Sequence, residues 1–587
     1  MIWKICFATS LAIIAVTALL AQAYRKRSGG NRTSYIVIGG VALAAIAVLY
    51  PVCFGETEEG GLRALLLAVH NTFRLFVLDD DFSLMIAATA ELTQPFRLAY
   101  WILAAILYLA APIMTFSVVL SFFRNYVARR AYFFRFFAPV YAFSELNAKS
   151  LALAKDLKRK NPKCLIVFAG VGDEERDKNA ENCPPDFLLF ESGISTVNFG
   201  CHSRKAQMSF FLIGEDDTRN IDEAVELATR YRERDSVRVY VFSDSESGRI
   251  ALENTDCGKV VLQRVNVAQK MVATLLYERG NEIFDSAVPV GEEKEINALV
   301  VGLDARGKEM LRALPWFCQM IGYRLTVHAF CRTVAEQQEM EALCPELLDK
   351  KHNGKFGTGE DACYQIVFHC IPRVESSEFD EKVSSIERVS FAFVSLGSDE
   401  TNIRIAVKLR MLAERSAQSP VIFAVTENGE AIPTLSQKEK QLCNFKGQPY
   451  RISFVGGTEN EFSEANILSS ELEAEALARH MKWDKEKKKE TEQQFWQSEY
   501  CYRSSVASAI HKKYKIYCGV PGADVPPEER SEKDKWAIRR LEHQRWNAYM
   551  RSEGYVYAPV RNDLAKMHPC LIEFDKLPPK EQAKDDD

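Results

Sequence analysis

Three long apolar segments crowd the first quarter of the chain and set its surroundings before any other feature is considered. Residues 5–23, 35–52 and 98–123 are each long enough to cross a hydrocarbon layer of ~30 Å as a helix. The AQA at Ala21 to Ala23 resembles a signal-peptide cleavage site. However, only Lys4 precedes the apolar run and Arg25, Lys26 and Arg27 follow it at once, which fits a retained start-transfer helix. Arg32 adds to this basic connection, whereas the next loop carries Glu56, Glu58, Glu59 and Asp79 to Asp81, and Arg124, Arg129, Arg130 and Arg135 follow the third segment. The positive-inside bias then predicts an outside N-terminus, three spans and a cytoplasmic remainder, a multi-pass protein of the cell (inner) membrane with the lipid bilayer as a partner. Between spans two and three, GLRALLLAVHNTFRLFVL predicts a membrane-surface or re-entrant helix. That loop holds nothing like the TVGYG of a potassium-selective filter.

From Val140 onward, short β-branched runs alternate with amphipathic helical stretches, the pattern of parallel sheets with crossover helices. Predicted strands are 140–143, 164–169, 208–213, 237–242 and 259–262, then 297–301, 325–330, 364–369, 389–394, 420–425 and 450–455. The two sets repeat one another. FFLIGEDDTRNIDEAVELATRY from Phe210 lines up with FAFVSLGSDETNIRIAVKLRML from Phe391, each a strand, an acidic turn, an asparagine and a helix. The predicted organisation is a membrane region at 1–135, two doubly wound Rossmann-like units at 138–290 and 295–480, a charged linker at 481–494 and a small, mainly helical domain at 495–587.

The α/β units resemble the TrkA-N family, the Rossmann regulatory domains found beneath potassium channels and transporters, over roughly 138–480. That resemblance implies ligand sites at the carboxyl ends of the strands. The candidates there are Ser144 and Asn147 in the SELN turn of the first unit, Gly302 and Gly307 in VVGLDARG of the second, and Asp216, Asn220, Asp399 and Asn402 in the repeated acidic turns. Family members cradle a dinucleotide with GxGxxG and hold the ribose with an acid after the second strand. SELN has no glycine, Asp304 replaces the middle glycine of the second cradle, and Phe330, Cys331 and Arg332 bring no acid. Asp173 is a weak ribose candidate, and an ordinary NAD site is not expected.

Beyond the linker the sequence reads FWQSEYCYRSSVASAIHKKY, then EHQRW, GYVY and RNDLAKMHPCLIEFDKL. This order resembles the RyR domain, the small helical repeat named for the ryanodine receptor and present in bacteria, where it is joined to TrkA-N-like units. The resemblance implies a module that reads a nucleotide or a nucleotide-derived second messenger, and domain combinations of this kind imply a role in prokaryotic antiviral (anti-phage) defence. Glu542, Arg545, Trp546 and Tyr549 fall within two helical turns. Trp546, Tyr549, Tyr555 and Tyr557 are candidate stacking faces, and Arg503, Arg561, Lys566 and His568 are candidate polar contacts.

A net charge of -5 gives no basic footprint for nucleic acid. Fifteen scattered cysteines without a CxxC pair read as reduced core thiols, and His511, His543 and His568 match no common zinc spacing, so no metal is expected. The leading expectation is a membrane-anchored cytosolic sensor or effector for a small nucleotide-like ligand. A regulatory subunit of an ion channel or transporter stands second; three spans per chain would have to assemble as a homo-oligomer to enclose a pore. A nucleotide- or NAD-using enzyme ranks third, because no nucleophile and base can be paired.

Overall fold

The computed structural model describes residues 1–25, 30–56, 60–77, 82–172, 182–197, 199, 205–354, 364–427, 450–485 and 492–585. Lys26, Arg27, Glu58, Glu59, Asp79 to Asp81, Asp173 and residues 486–491 of the charged linker lie outside them. The chain forms two compact units, 1–146 with 163–207, and 147–162 with 208–587.

In the first unit, helices α1 (Ile2–Arg25), α2 (Gly30–Glu56), α3 (Gly61–Phe76) and α4 (Gln94–Phe134) account for the apolar quarter. Ile2–Ala21, Ile36–Gly55 and Gln94–Phe116 are long and apolar enough to cross a membrane. The helices outrun the predicted segments because no glycine or proline stands between Arg124 and Phe134 to stop α4. Small residues let these helices approach. A Cβ on Gly40 would lie 2.1 Å from Thr17 Oγ1, Ser10 Oγ donates to Ala44 O at 3.1 Å, and Tyr100 Oη donates to Val48 O at 2.6 Å. Helix α3 buries Ala64, Ala68, Thr72 and Leu75 and exposes Leu62, Leu65, Leu66 and Phe73. Three of the four inward residues are small and the outward ones are large and apolar, a pattern that suits a helix facing lipid. Strands β1 (Val140–Phe143), β2 (Leu165–Phe168) and β3 (Leu188–Leu189) run parallel, with Val140 beside Leu165 and Val167 beside Leu188.

The second unit begins with α5 (Ala148–Lys160) and continues through β4 (Met208–Leu212), α6 (Asp217–Tyr231), β5 (Val237–Phe242), α7 (Glu246–Glu253), β6 (Val261–Val265) and α8 (Val267–Arg279). As β3, β2 and β1 do within the first unit, strands β4, β5 and β6 of this unit run parallel in that order. Its other sheet contains β7 (Val288–Val290), β8 (Glu293–Val301), β9 (Tyr323–Cys331), β10 (Tyr364–Cys370), β11 (Val389–Val394), β12 (Val421–Val425) and β13 (Ile452–Val455) in the order β10-β9-β8-β11-β12-β13, with β7 antiparallel on β8. The crossover helices include α9 (Ala305–Phe317), α10 (Val334–Leu343) and α11 (Asp399–Arg415).

Helices α12 (Glu471–Lys485), α13 (Glu492–Gln497), α14 (Glu499–Tyr517) and α15 (Glu532–Ser552) complete the unit. Their buried side chains join those of the α/β elements. Leu276 of α8, Met310 and Leu314 of α9, Ile510 and Tyr514 of α14, and Tyr549 and Met550 of α15 belong to one buried apolar cluster. The C-terminal helices are thereby tied to both α/β sets by the same apolar burial that stabilises the second sheet.

Candidate functional site

The repeated turns show what their recurring pattern does. Asn220 takes a hydrogen bond from Gly214 N at 3.0 Å and donates to Gly214 O at 2.9 Å and Phe242 O at 3.1 Å. Asn402 takes one from Leu396 N at 2.7 Å and donates to Val425 O at 2.8 Å. Each buried amide therefore stitches its own turn to the end of the next strand, satisfying backbone groups that would otherwise be orphaned. Asp216 and Ser398 are the helix N-caps. Asp399 accepts from Glu427 N at 2.7 Å, and Asp217 accepts from Ser245 N at 3.1 Å. The structural counterpart of Asp399 is thus Asp217, one residue beyond the Asp216 picked out by sequence.

At the first cradle Asn147, not Ser144, is the N-cap. It forms a reciprocal capping box with Ser150, and its amide donates to Ile213 O at 2.9 Å. Ser144 is buried, 4% exposed. At the second cradle Asp304 caps α9 through Gly307 N at 2.9 Å and accepts from Ser395 Oγ at 2.8 Å. Gly302 has φ +96°, and a Cβ there would sit 1.9 Å from Ser395 O; one on Gly307 would sit 2.0 Å from Gly302 O. Both glycines are required by the approach of neighbouring backbone. Arg306, in the first turn of α9, places its guanidinium on Glu461 at 2.9 and 3.0 Å and on Glu427 at 3.3 Å. The anion-favouring end of this helix already holds the protein's own carboxylates.

The C-terminal candidates fall into four groups that touch one another, with the Arg545 guanidinium 5.8 Å over the Tyr549 ring and that of Arg561 6.0 Å over the Tyr500 ring. Glu542 and Arg545 pair at 2.5 Å within a buried cluster, where Lys515 reaches Glu542 at 3.2 Å. The cations hold the Glu542 carboxyl well below its usual range against the opposing effect of burial. Burial pushes the Lys515 amine down to about 8. Trp546 packs between His543 and His568, with ring centroids 5.7 and 4.9 Å away. Tyr557 is half exposed, Arg561 pairs with Asp563 at 2.9 Å, Lys566 donates to Glu553 O at 3.0 Å, and Tyr555 is buried with its ring 6.1 Å from that of Tyr500.

Arg503 and Tyr549 are the two brought together at a cavity. It lies where α7, β6 and α8 face α9 and the helices α13, α14 and α15, an open pocket of about 910 Å³ including solvent at its mouth. Trp316, Trp496, Tyr502 and Tyr549 bring aromatic surface to the lining, and Gln263, Arg264, Lys270 and Arg503 bring polar groups. Nearly every charge is matched. Arg264 pairs with Glu499, Lys270 with Glu473, Arg249 with Glu246 and Glu253 at 2.6 Å each, and Arg503 with Glu309 and with Glu553 at 3.0 Å. Although burial opposes the charge of Arg503, Glu309 and Glu553 hold its pKa above the ordinary arginine value. Burial, reinforced by Glu553, raises the Tyr549 phenol well above its ordinary value, so it is a hydrogen-bond donor at neutral pH. Tyr549 Oη and Arg264 Nε are buried and have no hydrogen-bond partner in the protein. An unpaired buried donor is costly, so these two mark unmet binding capacity.

Sequence reasoning missed Arg264, Lys270, Trp316, Trp496 and Tyr502. The available signal was the aromatic density of FWQSEYCY, in which Trp496 and Tyr502 stand.

No protein-family model and no curated protein matches the chain. A solved structure titled "GsuK Channel" matches 81% of this chain and 100% of its own at 12% identity, with a TM-score of 0.35. A likeness at that level carries no argument about function.

Proposed function

We propose that this chain is a membrane-anchored sensor or effector whose cytosolic part binds a nucleotide-derived small molecule and signals to its membrane helices. The observation that carries this reading is the pair of unsatisfied buried donors, Tyr549 Oη and Arg264 Nε, in a pocket lined by Trp316, Trp496, Tyr502 and Tyr549. Aromatic faces with a few convergent donors suit a flat heteroaromatic ring carrying acceptors. Because the lining cations are already paired with carboxylates, the pocket favours the base end of the ligand, with any phosphates toward its open mouth. The pocket draws on the C-terminal helices, in keeping with the RyR-like reading of 495–587, and the spans supply the anchor. In a phage-defence setting, the ligand would be a nucleotide signal made upon infection.

Calorimetric titration of the full chain in detergent with nucleosides, nucleotides and cyclic and linear nucleotide second messengers tests the reading. At least one class should bind, and Tyr549→Phe should weaken it by about tenfold, the loss of one hydrogen bond. Without ligand, the same substitution should leave stability unchanged or raise it, since it removes an unsatisfied hydroxyl. A panel in which nothing binds rejects the proposal.

A regulatory subunit of a channel or transporter is the second reading, favoured by the lipid-type packing of α3 between two spans. Ligand-dependent ion flux through liposomes containing the purified chain would separate it from passive anchoring.

A further inference from the structure

On the second sheet, away from the pocket, β9 and β10 end in cysteine. Cys331 and Cys370 are directly paired in the parallel register, and their sulfurs lie 2.8 Å apart with both thiols reduced. Neighbouring strands stand ~4.8 Å apart, which falls within the Cα separation that disulfides span, ~4.4–6.8 Å. Other thiols are settled differently: Cys344 donates to Ser552 O at 3.1 Å and Cys257 to Thr255 O at 3.4 Å. Around the pair, the polar neighbours are more distant than the second sulfur. Cys331 Sγ is 3.8 Å from His369 O, and Cys370 Sγ is 3.4 Å from Gln337 Oε1 and 3.8 Å from Thr333 O.

Exposure gives the two sulfurs different roles. Cys331 is 2% exposed, and burial together with Cys370 pushes its thiol up to about 12. Cys370 is partly exposed and sits on β10, the edge strand of the sheet. An oxidant therefore meets Cys370 first, while Cys331 waits beneath it as the resolving thiol.

We propose that Cys331 and Cys370 form a reversible disulfide driven by a small disulfide oxidant, tying the edge strand to its neighbour beside the second cradle. The Cys370 thiolate attacks one sulfur of the oxidant RSSR, giving a mixed disulfide and releasing RS⁻. Cys331 sulfur then attacks Cys370 Sγ, forming the Cys331–Cys370 bond and expelling the second RS⁻. The two thiol protons end on two RSH, so two electrons pass from the cysteines to the oxidant. The bond adjoins the cradle because Phe330 O, one residue before Cys331, accepts from Gly302 N at 3.0 Å. The oxidation state thereby fixes or frees the end of the strand on which the Gly302 turn rests.

The full chain in detergent, held folded with oxidised glutathione, then alkylated and digested without reduction, provides the test by mass spectrometry. A peptide joining Cys331 to Cys370 should form and vanish on treatment with dithiothreitol. The melting midpoint should rise by about 2 °C or more on oxidation. Cys331→Ala should instead stop at glutathione on Cys370, and Cys370→Ser should show no oxidation-dependent shift while melting normally when reduced. Both thiols remaining open to alkylation after the treatment, or a stable glutathione adduct on Cys370 of the unsubstituted chain, would overturn the proposal.

Discussion

The turns that follow β1 and β8 stand at equivalent places in their α/β sets and reach similar ends with different residues. After β1 there is no glycine; Asn147 caps α5 and donates to Ile213 O, just past the end of β4. After β8, Asp304 caps α9 and accepts from Ser395, just past the end of β11. The cap thus reaches the exit of another strand in both. What differs is how closely that backbone approaches. Beside Gly302 the Ser395 carbonyl leaves no room for a Cβ, so glycine there records packing of the protein on itself. A glycine fingerprint and a phosphate cradle are therefore separable; of the buried donors left without a partner, Arg306 Nε lies at this second turn, while Tyr549 Oη and Arg264 Nε lie in the aromatic-lined pocket.

The most severe test of that comparison is Gly302→Ala. A left-handed φ of +96° and a 1.9 Å clash with main chain should together cost about 3 kcal/mol or more, read as a lower denaturation midpoint. In the first turn, where no residue needs a left-handed φ, Asn147→Gly should cost about 1 kcal/mol, since glycine is itself a tolerated N-cap. Equal losses would mean that the turns are packed alike after all.

Next in size is removal of the repeated amides. Asn220→Ala and Asn402→Ala each delete bonds to buried backbone groups and should each destabilise the fold by about 2–3 kcal/mol. If Asn402→Ala instead left stability intact and abolished ligand binding, the acidic turn would be a ligand site and the stitching role would fail.

Acid should divide the two α/β sets. Burial pushes His328 and His369 of the second sheet down to about 4, and also His352, His511 and His568. The unfolded chain, with histidine near 6.5, binds more protons than the folded one between about pH 6.5 and 4. Stability should therefore fall progressively through that window as pH drops. Residues 140–290 carry a single histidine, His202, and strands β4 and β5 carry none, so hydrogen exchange should report loss of protection in β9 and β10 before β4 and β5. The reverse order would remove the histidines as its cause.

The membrane helices and most strands were legible because long apolar runs and β-branched runs have few alternative structures. The two-residue β3 was not, since Leu188 and Leu189 are too short to show a period. The duplication was legible and the work of Asn220 and Asn402 was not: the pattern shows that an asparagine recurs, while its partners, Phe242 O and Val425 O, lie 22 and 23 residues away. The pocket was the least legible feature. Its lining comes from positions as far apart as Arg249 and Tyr549, and each segment alone reads as an ordinary core or charged helix. Arg503 and Tyr549 were found by the motifs around them, whereas Arg264 and Trp316 carry no local mark.

The smallest effect sharpens the comparison most directly. Asn147→Ala removes the capping box and the bond to Ile213, and Asp304→Ala removes the bonds to Gly307 and Ser395. If the side chains are equivalent caps, each substitution should cost about 1 kcal/mol, measured as matched shifts in denaturation midpoint. Asp304→Ala also removes the carboxylate that opposes a dinucleotide. It should nevertheless gain no affinity for NAD, because Arg306 still brings Glu461 and Glu427 to the start of α9. Tight NAD binding by this variant would show that Asp304 alone was guarding an otherwise intact cradle, and the second turn would have to be reclassified from a packing device to a suppressed nucleotide site.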